Sequence, residues 1–390
     1  MTKEKDAAMI IQIALDPRPE EALPSLTWTP MPITEDPALL ECMVEDWLKG
    51  PPEYRPHGIW ATQTQQIYDL ILAQGLASIR SSPEVVLRAC GIQCLSPLFG
   101  VLEEAAKEYQ QFTAAEQALV TQFYALAGRD PRKFLFPHQT CLIDIDTNAW
   151  RLAALYGQVH GALPLTRIQA SPLGAPGYVF FVNNIPYTHD VLDAYMRYAT
   201  AAPHLDFSAC TGLVEIGPGC GIQADVLHQL FPQLSLALFE LAPQQYVCTQ
   251  YLKGRFGAAV LDYRETRRWT TIPPLVPGTI GVFGTWQFPF LAGPPGGRFG
   301  WSSATFGEMS RPEVAGYLQR FSAVVDAVYL CQTSRGKMVY CPEDRVTEEV
   351  FTGYLGPTFQ KVWDGRTQRA TRVEHEIGFY RDYVFRRQTA

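Results

Sequence analysis

The sequence predicts an α/β fold whose C-terminal half carries a mostly parallel, doubly wound sheet and whose N-terminal part is mainly helical. Three observations carry this expectation. Leu213 to Ile216 is a short apolar run ending in the turn Gly217-Pro-Gly219-Cys-Gly221. It is too short for a helix and bounded by glycines, as a buried strand is. Ile222, Val226, Leu227, Leu230 and Phe231 fall on one side of a helix that Pro232 stops. Leu234 to Phe239 is a second apolar run with Glu240 at its carboxyl end. Strand, turn, helix, strand and acid form one Rossmann-like unit, and open α/β sheets bind ligands over the carboxyl ends of their strands.

The chemistry of that turn narrows the ligand. Gly217, Gly219 and Gly221 remove Cβ atoms where the chain turns sharply and a ligand must approach the backbone. Glu240, placed over the crevice, can accept hydrogen bonds from both hydroxyls of a ribose. The dinucleotide fingerprint is G-x-G-x-x-G with a pyrophosphate on the helix N-terminus, whereas the spacing here is G-x-G-x-G with isoleucine at 222. Glu215 would repel a pyrophosphate and attract the ammonium of an amino acid. S-adenosylmethionine has that ammonium, a ribose and no phosphate.

Composition bounds the remaining possibilities. The 390 residues are long enough for two domains or one large domain with an extension, and 47% hydrophobic with 18% charged residues can bury a sizeable core. A net charge of −7 argues against a dedicated nucleic-acid binder, which needs clustered Lys and Arg. Nine cysteines without a C-x-x-C pair read as thiols rather than a metal or disulfide framework, and Cys90 and Cys94 are spaced for one helical face. The apolar stretch near the N-terminus is short and flanked by charges, a poor signal peptide, and no run approaches a membrane span. The expected setting is cytoplasmic.

Along the chain, residues 1–34 read as a Pro-rich and acidic arm and 35–170 as a helical lid or dimerisation domain, the latter implying a homodimer. Leu39, Leu40, Met43, Val44 and Trp47 make one apolar helix face; Ile67, Leu70, Ile71 and Leu76 make another, with Pro51-Pro52 between them. Further helices are expected over Ala114 to Leu126, Asn148 to Gly157 and His189 to Ala201. Residues 171–208 form a connecting segment and 209–390 the cofactor-binding domain. Within that domain a helix near Gln244 to Leu252 precedes a strand near Ala258 to Leu261. The Pro-, Gly- and aromatic-rich stretch Thr270 to Arg298 reads as an active-site wall. A strand over Trp301 to Thr305, a capping box at Ser310-Arg-Pro-Glu313 and a strand over Val324 to Cys331 follow. Phe359 to Trp363 and Tyr380 to Phe385 read as an antiparallel hairpin closing the sheet.

The arrangement E-x-G-x-G-x-G at Glu215 to Gly221, with Glu240 as the second-strand acid, resembles the first motif of class I S-adenosylmethionine-dependent methyltransferases. Further segments resemble the sugar O-methyltransferase family of bacterial saccharide and secondary-metabolite clusters. They are Ser171-Pro-Leu-Gly-Ala-Pro176, Leu241-Ala-Pro-Gln-Gln-Tyr-Val247, Trp301-Ser-Ser-Ala-Thr-Phe-Gly-Glu-Met309 with Tyr317-Leu318, and Gly378-Phe-Tyr-Arg-Asp-Tyr-Val-Phe385. The resemblance covers roughly Ser171 to Arg387. It departs from the family at Cys220, where many members have a small or polar residue, and at Glu240, where aspartate is frequent.

The resemblance implies a class I methyltransferase sheet, S-adenosylmethionine as cofactor, and in-line methyl transfer to a hydroxyl of a sugar or other polar small-molecule acceptor. Cofactor contacts are expected from Glu215, Gly217, Gly219, Gly221, Glu240 and Asp262, the last accepting from the adenine amino group after the third strand. A hydroxyl acceptor needs a base worth roughly 10²–10⁴-fold, and the candidates are His189, His57 and Glu308. Trp286, Trp301 and Phe306 are candidates for an aromatic acceptor wall, against which core packing competes. Asp144-Ile-Asp146 lacks a third ligand, so no metal is expected. The alternatives are an N-methyltransferase with no essential base, a nicotinamide-dependent dehydrogenase, which the glycine spacing disfavours, and a non-catalytic scaffold.

Overall fold

A computed structural model of the chain describes residues 9–13, 28–56, 58–84, 86–87, 90–94, 141–294, 296–333, 345–366 and 380–388. Strands β1 to β3 are Met9–Ile13, Tyr178–Val182 and Ile185–Tyr187. Strands β4 to β7 are Gly212–Ile216, Ser235–Glu240, Ile280–Gly284 and Arg298–Ser303; β8 to β10 are Ala327–Thr333, Phe359–Arg366 and Tyr380–Arg387. The helices are α1 Pro37–Lys49, α2 Ile59–Gln74, α3 Cys141–Val159, α4 His189–Ala201, α5 Ile222–Leu230, α6 Ala242–Phe256, the single turn α7 Tyr263–Thr266, α8 Arg311–Val324 and α9 Glu348–Leu355.

The main sheet has the order β6-β5-β4-β7-β8-β10-β9. Its first five strands run parallel, and β10 lies antiparallel between β8 and β9. The chain builds outward from β4 through β5 to β6, then returns to the other side of β4 with β7. Strand order therefore reverses at β4, which opens a crevice at its carboxyl end. This is the doubly wound α/β sheet with a C-terminal antiparallel pair that the sequence predicts.

Alternation along the strands explains why both faces are covered. Leu213, Leu236, Leu238 and Val282 join the core that α4, α5 and α6 supply. Val214, Ile216, Phe239 and Phe283 join the opposite core, with Val314, Leu318 and Phe321 of α8 and Phe351 and Leu355 of α9. The capping box at Ser310 forms as predicted, Glu313 accepting from the Ser310 N–H at 2.6 Å.

Helices α1 and α2 put Leu39, Leu40, Met43, Ile67 and Ile71 into the same continuous core as α4 to α6, and Leu76 joins it just after α2. Helix α1 is also tied electrostatically. Its N-cap Asp36 accepts from Leu39 N at 3.1 Å and pairs with Arg264 at 2.7 Å, and Asp46 pairs with Arg267 and Tyr263.

Three sequence expectations are corrected. The stretch Ala258 to Leu261 is not a strand: a 3₁₀ turn covers Gly257–Ala259, and Val260 makes an isolated bridge to Ile280. The third place in the sheet belongs to β6, inside the Pro- and Gly-rich stretch read as an active-site wall. Strands β1 to β3 form a separate small sheet within segments read as an arm and a connection. Tyr178–Val182 is fully buried, and Asn183 and Asn184 both take positive φ to turn it into β3. The helix expected over Ala114 to Leu126 lies outside the described residues. Among the described residues no helix is long and apolar enough to cross a membrane.

Ser171-Pro-Leu-Gly, singled out in the sequence, wraps a buried cation. Arg80 donates to the carbonyls of Ser171 and Leu173 at 3.1 and 3.3 Å and to Asp190 at 3.2 Å, and it lies 5.4 Å over the Tyr251 ring. Gly174, at φ +74°, suits glycine by its backbone, and a Cβ there would also press on Ile33 Cδ1 at 3.0 Å and Arg80 Cγ at 3.1 Å. Removing one member of a buried ion pair leaves the other desolvated and uncompensated. Arg80→Leu is therefore expected to cost about 3 kcal/mol of stability, measured by urea unfolding; a loss within experimental error would contradict this role.

Candidate active site

The crevice is built from three strand ends. Registers Ile216↔Phe239 and Ile216↔Ser302 bring the carboxyl ends of β4, β5 and β7 side by side. Beyond β4 the glycine turn takes φ values of +74°, +59° and +90° at Gly217, Gly219 and Gly221, a region where L side chains are strained. Gly217 N donates to Phe239 O at 3.0 Å, and α5 begins directly after Gly221.

Each glycine is required by a different protein neighbour. A Cβ on Gly217 would meet Thr305 Oγ1 at 2.2 Å, one on Gly219 the Cys90 carbonyl oxygen at 2.5 Å, and one on Gly221 Cys248 Sγ at 3.0 Å. Close ligand approach is thus not needed to explain these glycines: positive φ and packing within the chain already favour them.

Two buried carboxylates lie at the ends of adjacent strands. Glu240 Oε2 accepts from Gly219 N at 2.8 Å and Oε1 from Leu241 N at 2.8 Å. Its carboxyl is pushed up to about 7 by burial, against the pull of those two N–H groups and with a further push from Glu308. Glu215 is 1% exposed, and among the described residues its Oε2 has no hydrogen-bond partner. Burial pushes it up to about 8, partly opposed by Arg197 and reinforced by Glu240. Glu308, in the 3₁₀ turn Phe306–Glu308 after β7, completes a group of acids that influence one another.

The comparisons with known proteins match this architecture weakly. Neither a family model nor a curated protein matches the chain. Among solved structures, the mitomycin 7-O-methyltransferase is 14% identical over 90% of this chain and 99% of its own, with a TM-score of 0.34. The magnesium protoporphyrin IX methyltransferase of Synechocystis PCC 6803, with bound S-adenosylmethionine, is 12% identical over 50% of this chain and 76% of its own, TM-score 0.34. An N-methyltransferase of Bradyrhizobium japonicum WM9, in complex with S-adenosyl-L-homocysteine, is 12% identical over 46% and 80%, TM-score 0.31. At such values the likeness adds nothing to the strand order and turn geometry.

The structure thus brings Glu215, Gly217, Gly219, Gly221, Glu240 and Glu308 together. Asp262 stands elsewhere: its expected strand is absent, and it caps α7 by accepting from Arg264 N at 2.9 Å. The residue that follows the third strand of the sheet is Thr285. Trp301 and Phe306 are fully buried; Trp301 stacks on Tyr329 at 3.8 Å, and Phe306 packs against Tyr317 and Phe321. Both are core residues, because β7 directs Trp301 to the α4 face and Phe306 turns under α8. Trp286 follows β6, half-buried beside Gly50 and edge-on to Phe290. His189 opens α4 and stacks on Tyr178 at 5.8 Å. His57 and the side chains of Asp144 and Asp146 lie outside the described residues.

Sequence reasoning missed the segment 90–94. Cys90 and Cys94 flank a turn rather than sharing a helix face, and the turn sits on the glycine loop, Cys220 Sγ donating to Gly91 O at 2.8 Å. Gln244, in the first turn of α6, reaches Cys90 Sγ at 3.9 Å. No spacing or composition signal marks these contacts.

The perturbed acids predict a pH dependence. Unfolded, Glu215 loses its proton near the ordinary glutamate value of 4.5; folded, it holds the proton up to about 8. The native state then binds more protons between those values, so stability falls as pH rises across that window. Thermal melting from pH 5 to 8 should show this decline, and Glu215→Gln should flatten it in part, leaving the Glu240 contribution. An unchanged slope would refute the assignment.

Proposed function

We propose that the crevice at the ends of β4 and β5 binds S-adenosylmethionine and that the protein is a methyltransferase acting on a hydroxyl of a sugar or other polar small molecule. The observation that carries this reading is the pair of buried carboxylates, Glu215 with an oxygen unpartnered among the described residues and Glu240 docked on the loop. Buried acids of this kind favour a ligand that brings a cation and hydroxyl donors. Glu215 would hold the ammonium and Glu240 the ribose. A pyrophosphate suits the site poorly: the Gly219 N–H is committed to Glu240, and Asp225 lies in the first turn of α5. That disfavours the nicotinamide-dependent alternative.

The cofactor, when bound, supplies an electrophilic methyl group on sulfonium sulfur. The chain's own contribution is alignment, which can be worth up to ~7–11 kcal/mol, and removal of a proton from the acceptor oxygen. Glu308 is the candidate base, beside Glu240 after β7; His189 and His57 are the alternatives. The packing of α1 and α2 against α6, and of residues 90–94 against the glycine loop, supports the helical region as a cover over the crevice. Trp286 is the aromatic best placed to meet an acceptor. The cysteines among the described residues are free, in keeping with a reducing, cytoplasmic setting.

Titration calorimetry with S-adenosylmethionine, S-adenosylhomocysteine and NAD tests the cofactor. The two S-adenosyl ligands are expected to bind and NAD not to; absence of binding by both S-adenosyl ligands refutes the reading. Glu240→Gln should weaken them roughly 10- to 100-fold, as loss of a charged hydrogen-bond acceptor does, with melting as the control for fold. For an O-acceptor, Glu308→Gln should lower turnover of labelled methyl about 10²-fold or more. Retained turnover would favour an amine acceptor.

A further inference from the structure

Gln93 is the buried side chain that the fold leaves least explained. It is 8% exposed, yet among the described residues neither Nε2 nor Oε1 of its carboxamide has a hydrogen-bond partner. Leaving a buried polar atom unpaired costs about 1–3 kcal/mol, and such a group calls for a partner of its own.

Its surroundings say which partner. Residues 90–94 form a strap across the crevice that starts on the ribose side: Cys90 Sγ lies against Gln244 of α6, and Glu240 and Glu308 both act on the Cys90 thiol. The strap then crosses the glycine loop, where the Cys90 carbonyl occupies the space beside Gly219 and Gly91 O accepts from Cys220. It ends on the α4 side, where Cys94 N donates to Arg80 O at 2.8 Å and Cys94 Sγ to Tyr178 O at 3.4 Å. Gln93 therefore lies past the loop, on the side away from Glu240. Arg80 acts on the Cys94 and Cys220 thiols from that side, and with Glu215 suited to the ammonium, the carboxamide is left for the carboxylate of an amino acid.

We propose that Gln93 is a binding residue for the amino-acid end of the S-adenosyl ligand, its carboxamide donating to the ligand carboxylate while Glu215 takes the ammonium. This rests on the cofactor reading above. It gives the strap a second role beyond covering the crevice, since a buried amide with no partner in the free protein gains one when the ligand enters. It also divides recognition between two parts of the chain, the sheet reading ribose and ammonium and the N-terminal segment reading the carboxylate.

The test is a comparison of two ligands by calorimetry on the full chain: S-adenosylhomocysteine, which has the amino-acid end, and 5′-methylthioadenosine, which lacks it. Gln93→Leu should weaken S-adenosylhomocysteine about tenfold, the equivalent of one hydrogen bond to a charged group, and leave 5′-methylthioadenosine unchanged. Gln93→Glu, which sets a carboxylate against a carboxylate, should weaken the first ligand further and spare the second; should Gln93→Leu not fold, as judged by melting, this variant carries the test. Equal losses for both ligands would make the residue structural and overturn the proposal, as would no loss for either. Tighter S-adenosylhomocysteine binding by Gln93→Glu would overturn it too, by assigning the ammonium to this position. Failure of the wild-type chain to bind either ligand would instead defeat the cofactor reading itself.

Discussion

The hydrogen bond from the Gly219 N–H to the Glu240 carboxylate is the contact on which the crevice depends. It joins the turn after β4 to the end of β5, two elements that strand pairing brings together only at their sides. A backbone N–H on a positive-φ glycine is available for this role because the turn directs it across the strands rather than into α5. With Leu241 N on the other oxygen, Glu240 keeps lone pairs in reserve and is held in one orientation. The loop is fixed in turn by packing on every side: Thr305 beneath Gly217, Cys90 over Gly219, and α6 against Gly221.

Desolvation is the second constraint. Burial raises both Glu215 and Glu240, and the nearest cation acting on Glu215, Arg197, does not offset it. Acids held this way store an electrostatic demand that a cationic, hydroxyl-bearing ligand would relieve. Arg80, buried and held through Nη1 and Nη2 by two carbonyls and Asp190, does not meet that demand, so the charge balance of the crevice stays with the ligand.

Much of the sheet was legible in the sequence because its strands are short apolar runs with glycine or proline punctuation. Gly212–Ile216, Ser235–Glu240 and the helices after them fall close to where periodicity places them. β6 was not legible, since Pro, Gly and aromatics around Ile280–Gly284 hide a five-residue buried run. That error displaced the third strand to Ala258 to Leu261 and gave Asp262 a site role for which the structure provides no strand end. The acids and glycines of the crevice could be read because they are neighbours in sequence or separated by one strand and helix. Arg80, Gln93 and Gln244 could not, since their meaning comes from contacts between residues far apart in the chain. Trp301 and Phe306 show the converse: aromatic character is visible in sequence, but the face on which each is buried is not.

In the proposed function, one crevice bounded by Glu215, the glycine loop and Glu240 receives the S-adenosyl ligand. A crystal structure with S-adenosylhomocysteine tests it most directly. Ribose hydroxyls are expected within hydrogen-bond distance of Glu240, with the amino-acid end on the Glu215 side of the loop. A ligand bound elsewhere, or in this crevice with its ribose away from Glu240, would contradict it.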